Sequence, residues 1–160
     1  MQEMRPMRRN DREVSNEEIA TILRTGEYGV LAMTLSNEFP YAVPVNYIYQ
    51  ENAIYIHCAS QGQKIDAIGS DAKACFTIVN RSKVVAEKFT SSYESVIAFG
   101  KAEIIAPSAE GKAVLEGFIR KYAPDHLEAG YKYVDTDHMK TALIKLSIEH
   151  ITGKCNNKGW

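Results

Sequence analysis

Three strand-like runs follow one another between residues 28 and 58 with almost nothing between them, and that spacing limits the fold more than any other feature. "YGVLAMTLS" (28–36), "YAVPVNYIYQ" (41–50) and "AIYIHC" (53–58) are separated only by "NEFP" and by the "QEN" turn. Turns this short reverse the chain. They cannot return it to start a parallel neighbour, which takes on the order of a dozen residues. The runs therefore predict antiparallel strands. The first is apolar at both parities, so both of its faces are covered. Pro44 has no N–H to give to a ladder, which places that part of the second run at an edge or a bulge.

Further along, "AKACFTIVN" (72–80) reads as a fourth strand and "SYESVIAFGKAEIIA" (92–106) as a long fifth, with Gly100 marking a bend or bulge. "HMKTALIKLSIEHITGK" contributes the last, in which Ile144, Leu146 and Ile148 alternate with polar residues. Ser15 and Glu18 have capping-box spacing, Ile19, Ile22 and Leu23 share one face, and Gly26 is a stop, so a helix is expected over 15–25. A short second helix is expected over 63–70. A third covers 108–122, with Val114, Leu115, Phe118, Ile119 and Tyr122 as its apolar stripe and Pro124 ending it. The fold class is mainly β (α+β): six antiparallel strands able to close into a small barrel, with flanking helices. A Rossmann fold is disfavoured, because no G-x-G-x-x-G follows the first strand and regular strand–helix alternation is absent.

The 160 residues fit one domain spanning 1–160, and 45% apolar content supports a substantial core. A formal charge of −1 creates no field toward nucleic acid or an anionic membrane. Tyr41, Tyr47, Tyr49 and Tyr55 lack a basic patch around them, so they fit a barrel wall or dimer interface better than base stacking. The exception to neutrality is a basic arm over residues 1–14, with Arg5, Arg8, Arg9 and Arg12; it is either solvated or reaches an anion or a partner subunit. No apolar run approaches the roughly 20 residues of a membrane span, and no apolar leader core is visible. Cys58, Cys75 and Cys155 match no zinc pattern, and a reduced, cytoplasmic protein is expected. His126, His138 and His150 are evenly spaced without a ligand pattern, so no metal is expected; Asp135 and Asp137 are expected to cap a short helix. No G-x-S-x-G elbow is present.

The stretch "HCASQGQK" (57–64) carries the chemistry. A phosphate monoester is held by a cation, hydroxyls and the free N–H groups of a helix start. Lys64 supplies the cation in the first helical turn, Ser60 the hydroxyl, and Gly62 the close backbone approach. His57, at the strand end, can donate a ring N–H. Cys58 should point to the opposite face from His57 and read as a structural thiol. On residue pattern alone, an anion site and an ordinary strand–turn–helix joint both remain open.

The chain also resembles the FMN-binding split barrels, the superfamily of pyridoxamine 5'-phosphate oxidase, and within it the nitroimidazole-resistance reductases. The likeness lies in "MRRNDREVSNEEIATIL", in "VPVNYIYQENAIYIHCASQGQKIDAI", and in "YESVIAFGKAEII" with "ITGK". It implies a six-stranded antiparallel split barrel (a Greek key), dimeric, with two flavins in clefts between subunits. It further implies that Pro44, Val45 and Asn46 lay backbone groups along the isoalloxazine ring. His57 and Ser60 would lie beside the ribityl-phosphate, Lys64 would pair with the phosphate, and Ser95 would face the partner's flavin where the oxidases carry a glutamine. His57 is also the implied substrate contact or proton donor. The implied activity is an FMN-dependent reductase of small aromatic or nitro compounds such as 5-nitroimidazoles, with FAD as an alternative flavin and NAD(P)H as electron donor. A non-enzymatic flavin-binding or sensing protein and a haem-binding relative are the alternatives. The oxidases hold their substrate's phosphate with an arginine-containing C-terminal segment, whereas "GKCNNKGW" has no arginine, so pyridoxamine phosphate oxidation is not implied. Trp160 could stack on a flavin.

Overall fold

Tyr47 is where the second predicted strand breaks. The computed structural model describes residues 4–156, and there the run 41–50 forms two strands, β2 (Pro40–Asn46) and β3 (Ile48–Gln50). With β1 (Tyr28–Thr34), β4 (Ala53–Cys58), β5 (Lys73–Val85), β6 (Thr90–Ile105) and β7 (Ala142–Asn156), the expected six strands are seven. The cause is hydrogen bonding. The Tyr47 N–H donates to Tyr122 Oη at 3.0 Å, and its carbonyl accepts Lys121 Nζ at 3.0 Å. A residue whose backbone groups are satisfied by side chains leaves the ladder. Its own side chain is fully buried, with Oη donating to the Leu23 carbonyl at 2.8 Å and the ring edge-on to Phe76 at 5.0 Å.

All pairings are antiparallel, in the order β2-β1-β5-β6-β7-β4-β3. The two edge strands, β2 and β3, are joined through Tyr47 alone. The sheet must therefore curl until its edges approach, yet no ladder closes them, and the result is a split barrel. Pro44 sits on edge strand β2, as its missing N–H requires. The register between β6 and β7 shifts at Phe99/Gly100, the bulge expected there. Glu51 and Asn52 both have positive φ, which suits the twist of the tight β3–β4 hairpin.

Among the described residues, four α-helices flank the sheet: α1 (Asn16–Thr25), α2 (Gln63–Ser70), α3 (Ala109–Tyr122) and α4 (Leu127–Asp137). The capping box of α1 is formed in both directions: Glu18 N–H donates to Ser15 Oγ at 3.3 Å and Ser15 N–H to the Glu18 carboxylate at 2.9 Å. The fourth helix, α4, corrects the expected three. Asp135 and Asp137 lie in its last turn; Asp137 holds the N-cap position of the 3-10 turn His138–Lys140 but makes no side-chain cap bond there, and Asp135 pairs with Lys112 and Asp137 with Lys140 at 3.0 Å.

The core has two parts. Inside the barrel, Leu31, Ile54, Ile56, Phe76, Ile78, Val96, Ile144 and Leu146 meet Ile22 and Leu23 of α1 and Ala67 and Ile68 of α2. Outside it, Ile48, Tyr55 and Leu143 are covered by Val114, Leu115 and Phe118 of α3 and Val134 of α4. Strand β4 therefore has two buried faces. Residues 4–14 of the basic arm lie against β6 and β7, with Val14 N–H donating to the Gly153 carbonyl of β7 at 3.2 Å, Arg12 reaching Tyr93 Oη of β6 at 3.2 Å, and Arg9 held on Asp11 by two hydrogen bonds. Among the described residues no helix is long and apolar enough to cross a membrane. Trp160 lies outside the described residues.

Candidate functional site at the barrel split

The β4–α2 joint is built as an anion cradle would be. Gly62 is the N-cap of α2 with φ +123°, a conformation that favours glycine, and a Cβ there would meet nothing within 4 Å. Gly62 brings no side-chain cap to α2. The Gly62 carbonyl takes the Ile65 and Asp66 N–H groups, which leaves the amides of Gln63 and Lys64 at the helix start with no protein acceptor among the described hydrogen bonds. Ser60 and Gly62 are exposed and Lys64 is half-buried. Burial pushes the Cys58 thiol up, and the Lys64 ammonium pulls it back in part, so the charge lies on the Cys58 side of the strand.

His57 points the other way, as alternation along β4 demands. Its ring meets Phe118 of α3 edge-on, with centroids 4.7 Å apart. The residue is exposed as a whole, yet the packed side of the ring governs its charge, and desolvation lowers its pKa. A neutral imidazole at pH 7 follows. Ser60, Gly62 and Lys64 thus gather at the start of α2, while His57 faces α3 and α4.

Across the split lies β2. Its outer backbone row has no strand partner, and Pro44 and Asn46 are exposed while Val45 turns inward. Asn46 Nδ2 donates to the Glu27 carbonyl at 3.0 Å and its side chain also reaches the Tyr122 hydroxyl. Tyr122 and Lys121 hold this edge to α3. Lys121 Nζ lies 4.0 Å over the Tyr47 ring, and burial lowers its pKa to about 8. The carbonyl and ring face both favour the ammonium and work against that loss. Neither residue was singled out from sequence as a site element; Tyr122 showed only as part of the α3 stripe.

Ser95 is half-buried on the outer face of β6. It lines a cleft of ≈ 490 Å³ with Ile97, Phe99, His150 and the arm residues Met4 and Met7. It is not among the groups around Lys64. His126 lies in a turn after α3, His138 follows α4, and His150 sits on β7. No group of three potential metal ligands occurs among the described residues.

A seven-stranded antiparallel sheet, rolled but open at one seam, with a helix start and a strand edge at that seam, defines a split barrel. A family profile described as pyridoxamine 5'-phosphate oxidase matches residues 15–155, and the chain belongs to that family. Among solved structures, it is similar to a candidate 5-nitroimidazole antibiotic resistance protein from Bacteroides thetaiotaomicron, with 25% identity, a TM-score of 0.76, and coverage of 89% of this chain and 85% of that one. It is also similar to the flavocytochrome Anf3 from Azotobacter vinelandii, with 21% identity, a TM-score of 0.78, and coverage of 96% and 73%. A third is an FAD-binding protein from Mesorhizobium loti, with 20% identity, a TM-score of 0.64, and coverage of 91% and 98%. A search of curated proteins gave no significant match.

Proposed function

We propose that this protein is a flavin-dependent reductase of small aromatic or nitro compounds, cytoplasmic and dimeric, with FMN as its flavin and NAD(P)H as electron donor. The observation that carries the reading is the uncapped start of α2, with Gly62 open to solvent and Lys64 in its first turn, beside the unpaired edge of β2. The cradle fits a phosphate in charge and in donor supply. The edge strand fits the polar rim of a flat heteroaromatic ring, because backbone groups along an edge are free to bond a ligand. The family match and the likeness to a nitroimidazole-resistance protein support the same choice.

Bound flavin would supply the relay of electrons from donor to acceptor. The protein's own part is binding and orientation. Lys64, Ser60 and the amides of Gln63 and Lys64 would hold the phosphate. Pro44, Val45 and Asn46 would set the ring against β2, with Pro44 offering only its carbonyl. His57, whose ring packs on Phe118 of α3 on the side away from Lys64, would contact an acceptor and exchange a proton with it from that side. No activated nucleophile is needed.

Purified protein should show the two-banded absorption of an oxidised flavin, and mass spectrometry of the ligand released on heating should give FMN rather than FAD. A colourless protein that cannot be reconstituted with either flavin would overturn the reading, and a Soret band would move it to haem binding, a cofactor carried with FAD by a Mycobacterium smegmatis relative of the same fold. Stopped-flow reduction by NADH and NADPH, followed by reoxidation with a 5-nitroimidazole, separates an enzyme from a flavin-binding sensor. Slow reduction with every donor favours the sensor.

A further inference from the structure

Between α3, α4 and the end of β4 lies a cavity of ≈ 150 Å³, separate from the Lys64 cradle. Leu115, Phe118 and Val134 form its apolar walls, the mostly exposed Tyr133 stands at its rim, and its polar lining is His57 and His138 with Asp137 and Thr141; the Asp137 carboxylate is paired with Lys140 and the Thr141 hydroxyl donates to the Asp137 carbonyl. An apolar cavity of about this size takes up one benzene-sized ring. The three fused rings of a flavin do not fit.

The orientation of His138 is fixed by its partners. Nδ1 lies 3.1 Å from the Val134 carbonyl and 3.2 Å from the Asp135 carbonyl. A carbonyl oxygen cannot donate, so Nδ1 carries the hydrogen. In the neutral ring the other nitrogen, Nε2, is then a lone-pair acceptor on the edge turned away from the helix, and the ring lines the cavity. His57 contributes a second imidazole, its ring kept against Phe118.

We propose that this cavity binds a small, neutral, single-ring aromatic compound bearing one hydrogen-bond donor, which His138 Nε2 accepts while Phe118 and Leu115 enclose the ring. The site rests on the reductase reading only for what becomes of the bound molecule: His57 belongs to both, so the ring would be held beside the residue placed for proton exchange. The binding itself stands on the cavity and on the locked tautomer. A donor-bearing ring should be preferred, because an apolar ring offers the acceptor no partner.

Phenol and toluene are the probes, at about pH 8, where phenol, like a tyrosine hydroxyl, keeps its proton and remains a donor. Titration calorimetry of the purified protein should show phenol binding about tenfold more tightly than toluene, in line with one buried hydrogen bond. Long-range proton–nitrogen spectra of the imidazoles should show Nδ1–H at His138 and a shift of its Nε2 with phenol but not with toluene. His138→Phe keeps the ring volume and should bring phenol down to the toluene level. Leu115→Phe should abolish both. The spectra of the unmodified protein decide the matter if either variant fails to fold. Equal binding of the two probes, no binding at millimolar concentration, or a phenol-induced shift elsewhere than His138 overturns the proposal. Flavin content is read from the same samples. Selective phenol binding without flavin keeps this site and removes the reductase reading; flavin without phenol selectivity does the reverse.

Discussion

Lys64 and His57 leave the same joint in opposite directions, and each makes a separate prediction. Lys64→Ala removes the one ammonium at the start of α2 and leaves the amides in place. FMN affinity should fall by about 1.5–3 kcal/mol, the range for a hydrogen bond to a charged group. Fluorescence titration of apoprotein measures it, and an unchanged affinity takes Lys64 out of the site. His57 acts on stability. Desolvation against Phe118 lowers its folded-state pKa below the ordinary histidine value of 6.5. Between the two values the unfolded chain binds a proton that the folded chain refuses, so stability falls as pH drops from about 6.5. Chemical denaturation of the protein and of His57→Gln across this range should show the variant with the shallower decline. Parallel curves would mean that the ring is free in solution rather than packed on α3.

Among the elements, what the sequence disclosed and what it hid divide along one line: whether the signal is local. The β1 run, the β3–β4 hairpin, the capping box of α1 and the Gly100 bulge all rest on neighbouring residues, and each is where it was expected. The break at Tyr47 is not local. Val43, Val45, Tyr47 and Tyr49 keep a strand's alternation, and only side chains from α3, some 75 positions away, take Tyr47 out of the ladder. Helix α4 has one buried residue, Val134, and no side-chain cap, so its stripe was too thin to read. The far half of β5, Arg81–Val85, is mostly exposed and held by pairing with β6 rather than by burial. The site divides the same way. The residues of the proposed cradle are contiguous, so they could be named from sequence alone, whereas the cavity between α3 and α4 could not be foreseen without α4. A pair of glycines tests how tightly the elements are registered. At Gly100 a Cβ would collide with the Ser147 carbonyl and sit 3.3 Å from Ile148 Cα, backbone that cannot give way. Gly100→Ala should cost about 3 kcal/mol, the upper end for overpacking. Gly69→Ala in α2 meets nothing within 4 Å and should add about 0.5–1 kcal/mol. Urea midpoints compare the two, and a neutral Gly100→Ala would mean that β6 and β7 slide past each other.

For the molecule as a whole, the unequal cover of the sheet is the main consideration. Helices α3 and α4 cover the outside of β3 and β4. Among the described residues no helix covers the outer face of β5 and β6: Val79 is 48% and Ile97 is 36% exposed, with Thr77 and Phe99 half-buried between them. Apolar residues grouped on one open face are the usual mark of a partner surface. Ser95 sits on that face, and the arm residues Met4 and Met7 lie at its edge. In the dimer proposed here, two copies would bury this face, Ser95 of one chain would serve the flavin site of the other, and flavin binding would be linked to association. Ile97→Arg places a charge in the middle of the face without touching the barrel interior, so the chain should fold as before by circular dichroism. Sedimentation should then show a monomer, and the flavin absorbance should be lost with the dimer. A variant that stays dimeric puts the interface elsewhere. A monomer that keeps its flavin at full occupancy shows that β2 and the start of α2 suffice in one chain, and that Ser95 has no part in holding it.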